Sequence, residues 1–153
     1  MKTLSLINEF LEQERFAMVG VSRNDQDFSR SLFKEFLKRG YDVVPVNPHT
    51  EEIELKKCYP NVLAVQPRVN SALLMISGAF IRPILEECAD SGVTLVWVYG
   101  ISGRNVDPDI VRFCEDHGVQ LVAGYCPFMF LPNAEFFHRA HGWVWNLIGY
   151  YPN

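Results

Sequence analysis

The chain has 153 residues, 48% of them apolar and 21% charged, with a formal net charge of −4. That is enough chain to bury one core, and its charge excludes a general attraction to nucleic acid or to an anionic membrane, so any anionic ligand needs a local site. The opening Met1-Lys2-Thr3-Leu4-Ser5-Leu6 lacks the apolar core of a signal peptide, and no apolar run is long enough to span a bilayer, so a cytoplasmic location is expected.

In chain order, Leu4, Leu6-Ile7 and Phe10-Leu11 recur at helical spacing and predict a short amphipathic helix. A strand is expected from about Phe16 to Val21, followed by a helix from Phe28 to Lys38. In that helix Leu32-Phe33 and Phe36-Leu37 form the apolar stripe, while Arg30, Lys34, Glu35 and Lys38 are expected to face water. Tyr41 to Pro48 reads as the second strand, with Pro45 unusual inside it because proline cannot donate to a ladder. A short third, edge strand is expected near Lys57–Tyr59, and a fully apolar fourth strand at Ala72–Ile76. A helix carrying Ile81, Ile84-Leu85 and Cys88 follows, then a fifth strand at Thr94–Tyr99. Asp107-Pro108 reads as N-cap and first position of another helix, and Val119–Val122 as a sixth strand.

Strands alternating with helices of this length imply βαβ crossovers and a parallel sheet covered on both faces. The expected fold is a Rossmann-like three-layer α/β domain of strand order 3-2-1-4-5, extended by the sixth strand. Residues 1–153 read as one domain. Nine of the twenty aromatic residues lie between Tyr125 and Tyr151, where a helix is expected over about 133–147. Aromatic residues at helical spacing are mostly packing, so this tail is expected to pack on the domain or across a homodimer contact.

The candidate chemistry starts at Val19-Gly20-Val21-Ser22-Arg23-Asn24, where an apolar strand breaks at a glycine ahead of a helix. Backbone N–H groups at such a turn can hold an anion, helped by the helix dipole. A dinucleotide fingerprint needs three glycines and only Gly20 is present, so an ordinary turn is the competing reading. The four cysteines Cys58, Cys88, Cys114 and Cys126 form no C-x-x-C pair, which excludes a zinc ribbon or a thioredoxin motif. His138-x-x-His141 could suit a metal, but no H-E-x-x-H pattern accompanies it and no metal is expected. No Ser-His-Asp order and no P-loop is recognisable.

Val19-Gly20-Val21-Ser22-Arg23 resembles the V-G-x-S-R turn of stand-alone CoA-binding domain proteins. Gly40-Tyr41 and Pro45-Val46-Asn47-Pro48 resemble the segment around their P-V-N-P, and Cys126-Pro127 their terminal cysteine segment. The similarity covers roughly residues 14–132 and extends to the N-terminal CoA-binding domain of the succinyl-CoA synthetase α subunit. It implies CoA or an acyl-CoA at the carboxyl edge of the sheet and does not imply turnover. It departs from many relatives at Ile76-Ser77-Gly78-Ala79, where they carry a proline-containing turn.

On that resemblance, the expected ligand-binding residues are Gly20, Val21, Ser22, Arg23, Ser29, Asn47, Pro48, His49, Ile76, Ser77, Gly78 and Gly100. The pyrophosphate is expected over Gly20, Val21 and Ser22, with Gly20 required for close approach and Gly20→Val abolishing binding in an intact fold. An NAD site places a carboxylate at the end of the second strand, whereas this chain has Asn47-Pro48-His49. Arg23 and His49 are candidate partners for the CoA 3′-phosphate; Arg23 as a solvated loop residue is the alternative. Ser22 and Ser29 offer hydroxyls to the pyrophosphate, or Ser29 caps its helix. The cysteines are expected to be reduced and mostly core-filling; Cys126, after the last strand, could face the ligand edge, where a mixed disulfide with the CoA thiol is the alternative, with no base nearby in sequence to support it. The expected function is CoA or acyl-CoA binding without catalysis. An NAD(P)-dependent oxidoreductase, and a structural or partner-binding protein with a decayed nucleotide site, are the alternatives.

Overall fold

The computed structural model describes residues 3–101 and 103–132. The tail helix expected at about 133–147, with His138 and His141, lies outside the described residues. Five short apolar segments become parallel strands: β1 (Arg15–Val19), β2 (Asp42–Val46), β5 (Ser71–Leu74), β6 (Leu95–Val98) and β7 (Gln120–Ala123). They pair in the order β2-β1-β5-β6-β7. Two further two-residue strands, β3 (Glu52–Ile53) and β4 (Lys56–Lys57), form a separate antiparallel pair.

Among the described residues, four α-helices cover the sheet: α1 (Thr3–Leu11), α2 (Phe28–Lys38), α3 (Ile81–Asp90) and α4 (Pro108–Asp116). Strand residues alternate between two buried clusters, as the period of two requires. Phe16, Met18, Leu73 and Trp97 face one layer with Ile7 and Phe10 of α1 and Leu32, Phe33 and Phe36 of α2. Ala17, Val19, Leu74, Val96 and Val98 face the other, with Leu85 and Cys88 of α3 and Phe113 and Cys114 of α4. The three-layer parallel α/β architecture is therefore present, with the ends of these five strands shifted by one or two residues from the expected bounds.

The edge differs from the expected third strand. Beside β2, only Tyr59 pairs, in one isolated parallel bridge to Val46. Its N–H donates to the Pro45 carbonyl at 3.0 Å and its carbonyl accepts from the Asn47 N–H at 2.9 Å. Along a strand, a residue's N–H and C=O point to the same side. The Val46 carbonyl accepts from Gly20 on the β1 side, so Pro45 turns its nitrogen outward. Proline thus removes an outward donor at the edge of the sheet, and Pro60 follows Tyr59 directly. A longer third strand has no ladder to join.

Connections leave β1 for one side of the sheet and β5 for the other, so the strand order reverses between these two neighbours. In open parallel sheets ligands bind at the carboxyl ends of the strands at such a switch point.

Candidate functional site

The switch point is closed by three turns packed edge to edge. After β1 the chain turns at Gly20 (φ +88°), where an added Cβ would lie 2.7 Å from the Met75 carbonyl oxygen and 2.9 Å from Ile76 Cγ2. After β6 a Cβ on Gly100 would lie 2.3 Å from the Ile76 carbonyl oxygen. Gly20 and Gly100 therefore flank the Met75-Ile76 segment at the end of β5, with Ser77 and Gly78 exposed beyond it. This corrects the expectation for Gly20. The lack of a side chain is required by protein packing, so Gly20→Val would disturb the turn itself rather than leave an intact fold.

The β1–α2 loop is held from within. The Gly20 N–H donates to the Val46 carbonyl. The Ser22 N–H donates to Ser29 Oγ at 3.0 Å, and the Asn24 N–H to Ser22 Oγ at 3.0 Å. Both hydroxyls first envisaged as phosphate donors thus already accept a loop amide, and each keeps its own proton to donate. Ser29 does not cap its helix: Asp27 holds the N-cap position of α2 without a side-chain bond. The Arg30 N–H, third in α2, donates to the Asp27 carbonyl at 3.0 Å.

Asn47 follows β2. Its amide donates to the Val21 carbonyl at 2.9 Å, and its Oδ1 accepts from the His49 N–H at 2.8 Å. One side chain therefore joins the turn after β1 to the Asn47-Pro48-His49 turn. This brings Gly20, Val21, Ser22, Arg23, Asn47, Pro48 and His49 to one edge. The side chains of Arg23 and His49 are exposed there.

An aromatic group adjoins the loop on the β6 side. Phe28, the first residue of α2, stacks on Tyr99 at the end of β6, with ring centroids 5.3 Å apart, and meets Phe128 edge-on at 5.6 Å. Phe28 and Tyr99 each stay 37% exposed. Burial pushes the Tyr99 phenol up, with the neighbouring Cys126 adding to it. Burial also pushes the Cys126 thiol up, outweighing the N–H groups of Phe128 and Met129 that favour its thiolate. At Cys126 burial thus favours the neutral thiol over an activated thiolate.

Two features escaped the sequence reading. The Phe28–Tyr99 stack joins residues 71 positions apart and has no local signature. Arg30 was expected to face water, yet its side chain is 14% exposed and is bound into the loop. A signal existed for it: a cation in the first turn of a helix opposes the helix dipole and needs another reason to be there. Among the described residues, no group of three or more His, Cys, Asp or Glu side chains is arranged to hold a metal ion. No described helix is long and apolar enough to cross a membrane.

A doubly wound parallel sheet, with a tight glycine turn and a helix N-terminus meeting at its switch point, defines a Rossmann-like α/β fold. Residues 14–132 match the CoA binding domain family, and the chain belongs to that family. Among curated relatives, it is 23% identical over 129 residues to the α subunit of ADP-forming acetate–CoA ligase II from Pyrococcus furiosus, covering 79% of this chain and 28% of that one. It is 27% identical over 117 residues to the ADP-forming acetate–CoA ligase I of Archaeoglobus fulgidus, covering 72% of this chain and 17% of that one. The chain thus spans less than a third of these relatives. In fold it is similar to a hypothetical protein from Pyrococcus horikoshii, with a TM-score of 0.72 at 24% identity over 83% of this chain and 87% of that one. A dinucleotide-forming acetyl-coenzyme A synthetase 1 from Ca. Korarchaeum cryptofilum gives 0.69 at 22% identity over 77% and 27%.

Proposed function

We propose that the chain binds CoA or an acyl-CoA across the carboxyl edge of its sheet, as a binding module without a reaction of its own. The observation that carries this reading, beside the family, is the end of β2. The residue there is Asn47, and its amide is committed to the Val21 carbonyl and the His49 N–H. Asn47-Pro48-His49 stand at the end of β2, where an NAD site places a carboxylate, and two basic side chains, Arg23 and His49, are exposed there. In this reading the pyrophosphate meets the loop at Val21–Arg23 and the N-terminus of α2, and the 3′-phosphate meets Arg23 or His49. The pantetheine arm runs past Ile76, Ser77, Gly78 and Gly100. The thiol or acyl end meets the uncharged wall of Phe28, Tyr99 and Cys126.

Thermal shift with CoA, dephospho-CoA, NAD and NADP tests the choice. A charge-assisted contact to the 3′-phosphate should favour CoA over dephospho-CoA by about 1.5–3 kcal/mol, roughly ten- to a hundredfold. Arg23→Ala should shrink that difference. A larger shift with NAD than with CoA would overturn the reading in favour of an oxidoreductase. No shift with any of the four, in protein carrying no ligand from purification, would leave a structural or partner-binding role.

A further inference from the structure

Arg30 is tied to two segments at the carboxyl edge by four hydrogen bonds. Its Nη1 donates to the carbonyls of Ser22 at 3.3 Å and Arg23 at 3.2 Å. Its Nε and Nη2 both donate to Glu54 Oε1, at 3.2 and 2.6 Å. Glu54 lies at the tip of the β3–β4 pair with φ +50°, followed by Leu55 at φ +62°. Two successive non-glycine residues in the left-handed region are rare, because a Cβ there crowds the following carbonyl. Leu55 is 92% exposed, so this tip is not held by burying its apolar side chain. What the tip does is present Glu54 to Arg30. Lys34, one turn further along α2, reaches Glu54 at 3.6 Å and also binds Asp25 of the β1–α2 loop.

We infer that Arg30 and Glu54 are positioning residues that set the β1–α2 loop in its ligand-binding shape; this rests on the reading of that loop as the CoA phosphate site. A trans peptide points its N–H opposite to its C=O. Holding the Ser22 carbonyl against the guanidinium therefore turns the Arg23 N–H away from Arg30, to the outside of the loop. Holding the Arg23 carbonyl likewise fixes the Asn24 peptide, whose N–H closes on Ser22 Oγ. The planar fork bonds two neighbouring carbonyls and one carboxylate together, which a lysine ammonium cannot reproduce. Glu54 fixes the other side of the fork, so the β3–β4 tip and the phosphate loop are set by one guanidinium.

The test compares the parent with Arg30→Lys and Glu54→Gln by calorimetric titration with CoA and dephospho-CoA, alongside melting temperature and amide NMR spectra of the free proteins. Arg30→Lys should weaken both ligands by about tenfold and equally, since both carry the pyrophosphate. Glu54→Gln, which keeps an acceptor but drops the charge, should weaken both by a smaller factor. The Arg23 and Asn24 amide signals should move in each variant while those of β1, β5 and β6 stay in place. If the parent binds CoA and Arg30→Lys binds it equally well, this inference is overturned and the site reading stands. The same follows if affinity falls only together with displaced strand amides and a collapsed melting transition. A parent that binds neither ligand overturns the site reading and this inference with it.

Discussion

A methyl group on Gly20 would stand 2.7 Å from the Met75 carbonyl oxygen, and the residue's φ of +88° already lies where L side chains are rare. Both penalties act on the folded protein whether or not a ligand is present. Left-handed strain of roughly 1–2 kcal/mol and overpacking of about 1–3 kcal/mol act together here. Gly20→Ala is therefore expected to lower the unfolding free energy by about 2–5 kcal/mol in urea denaturation. An unchanged urea midpoint would show that the turn can relax away from Met75. Asn47 shows the opposite kind of residue: its backbone ends a strand unremarkably, while its side chain ties two turns together.

Elements were legible where their signal is local. The bounds of α2, Phe28–Lys38, follow from its apolar stripe and the glycine beyond it. The start of α4 follows from Asp107-Pro108, and Asp107 Oδ1 accepts the Asp109 N–H at 2.9 Å as an N-cap does. Asp107→Ala is expected to cost about 1 kcal/mol, read as a lower denaturation midpoint at an unchanged slope. The third strand was not legible, because its extent depends on which way Pro45 turns its nitrogen in the assembled sheet. The carboxyl-edge turns were legible as places, through Gly20, Asn47 and Gly100. Their internal bonding was not, because Arg30 finds Glu54 24 positions away and Phe28 finds Tyr99 71 positions away. The hydrophobic period that placed Arg30 on the wet face of α2 is silent about a long side chain folding back over the helix N-terminus.

For the molecule as a whole, the two apolar layers bury Cys58, Cys88 and Cys114, and Cys126 is half-buried beside them. Burial, with smaller contributions from Glu87 and Cys114, pushes the Cys88 thiol from its ordinary 9.0 to about 12. Burial likewise raises Cys58, Cys114 and Cys126. A folded-state pKa above the unfolded one contributes stability that is fully present below the unfolded value and is lost as pH rises toward the folded one. The unfolded chain releases these protons from about pH 9 upward, while the folded chain retains them. At pH 10, Cys88 alone should cost on the order of 1–1.5 kcal/mol, with the other thiols adding in the same direction. The urea midpoint should therefore fall between pH 8 and pH 10 under reducing conditions. A midpoint that holds or rises over that range would contradict this picture of the core.

A CoA-type ligand lying across the turns that meet at the strand-order reversal would be felt first by the amides of those turns. Titrating the isotopically labelled chain with CoA and following its amide resonances tests this most directly. Saturable shifts are expected at Val21, Ser22, Arg23, Ser29, His49, Ser77, Gly78 and Gly100, with α1 and the amino ends of the strands unmoved. Shifts confined to the amino edge of the sheet, or none at CoA concentrations well above the protein's, would contradict it.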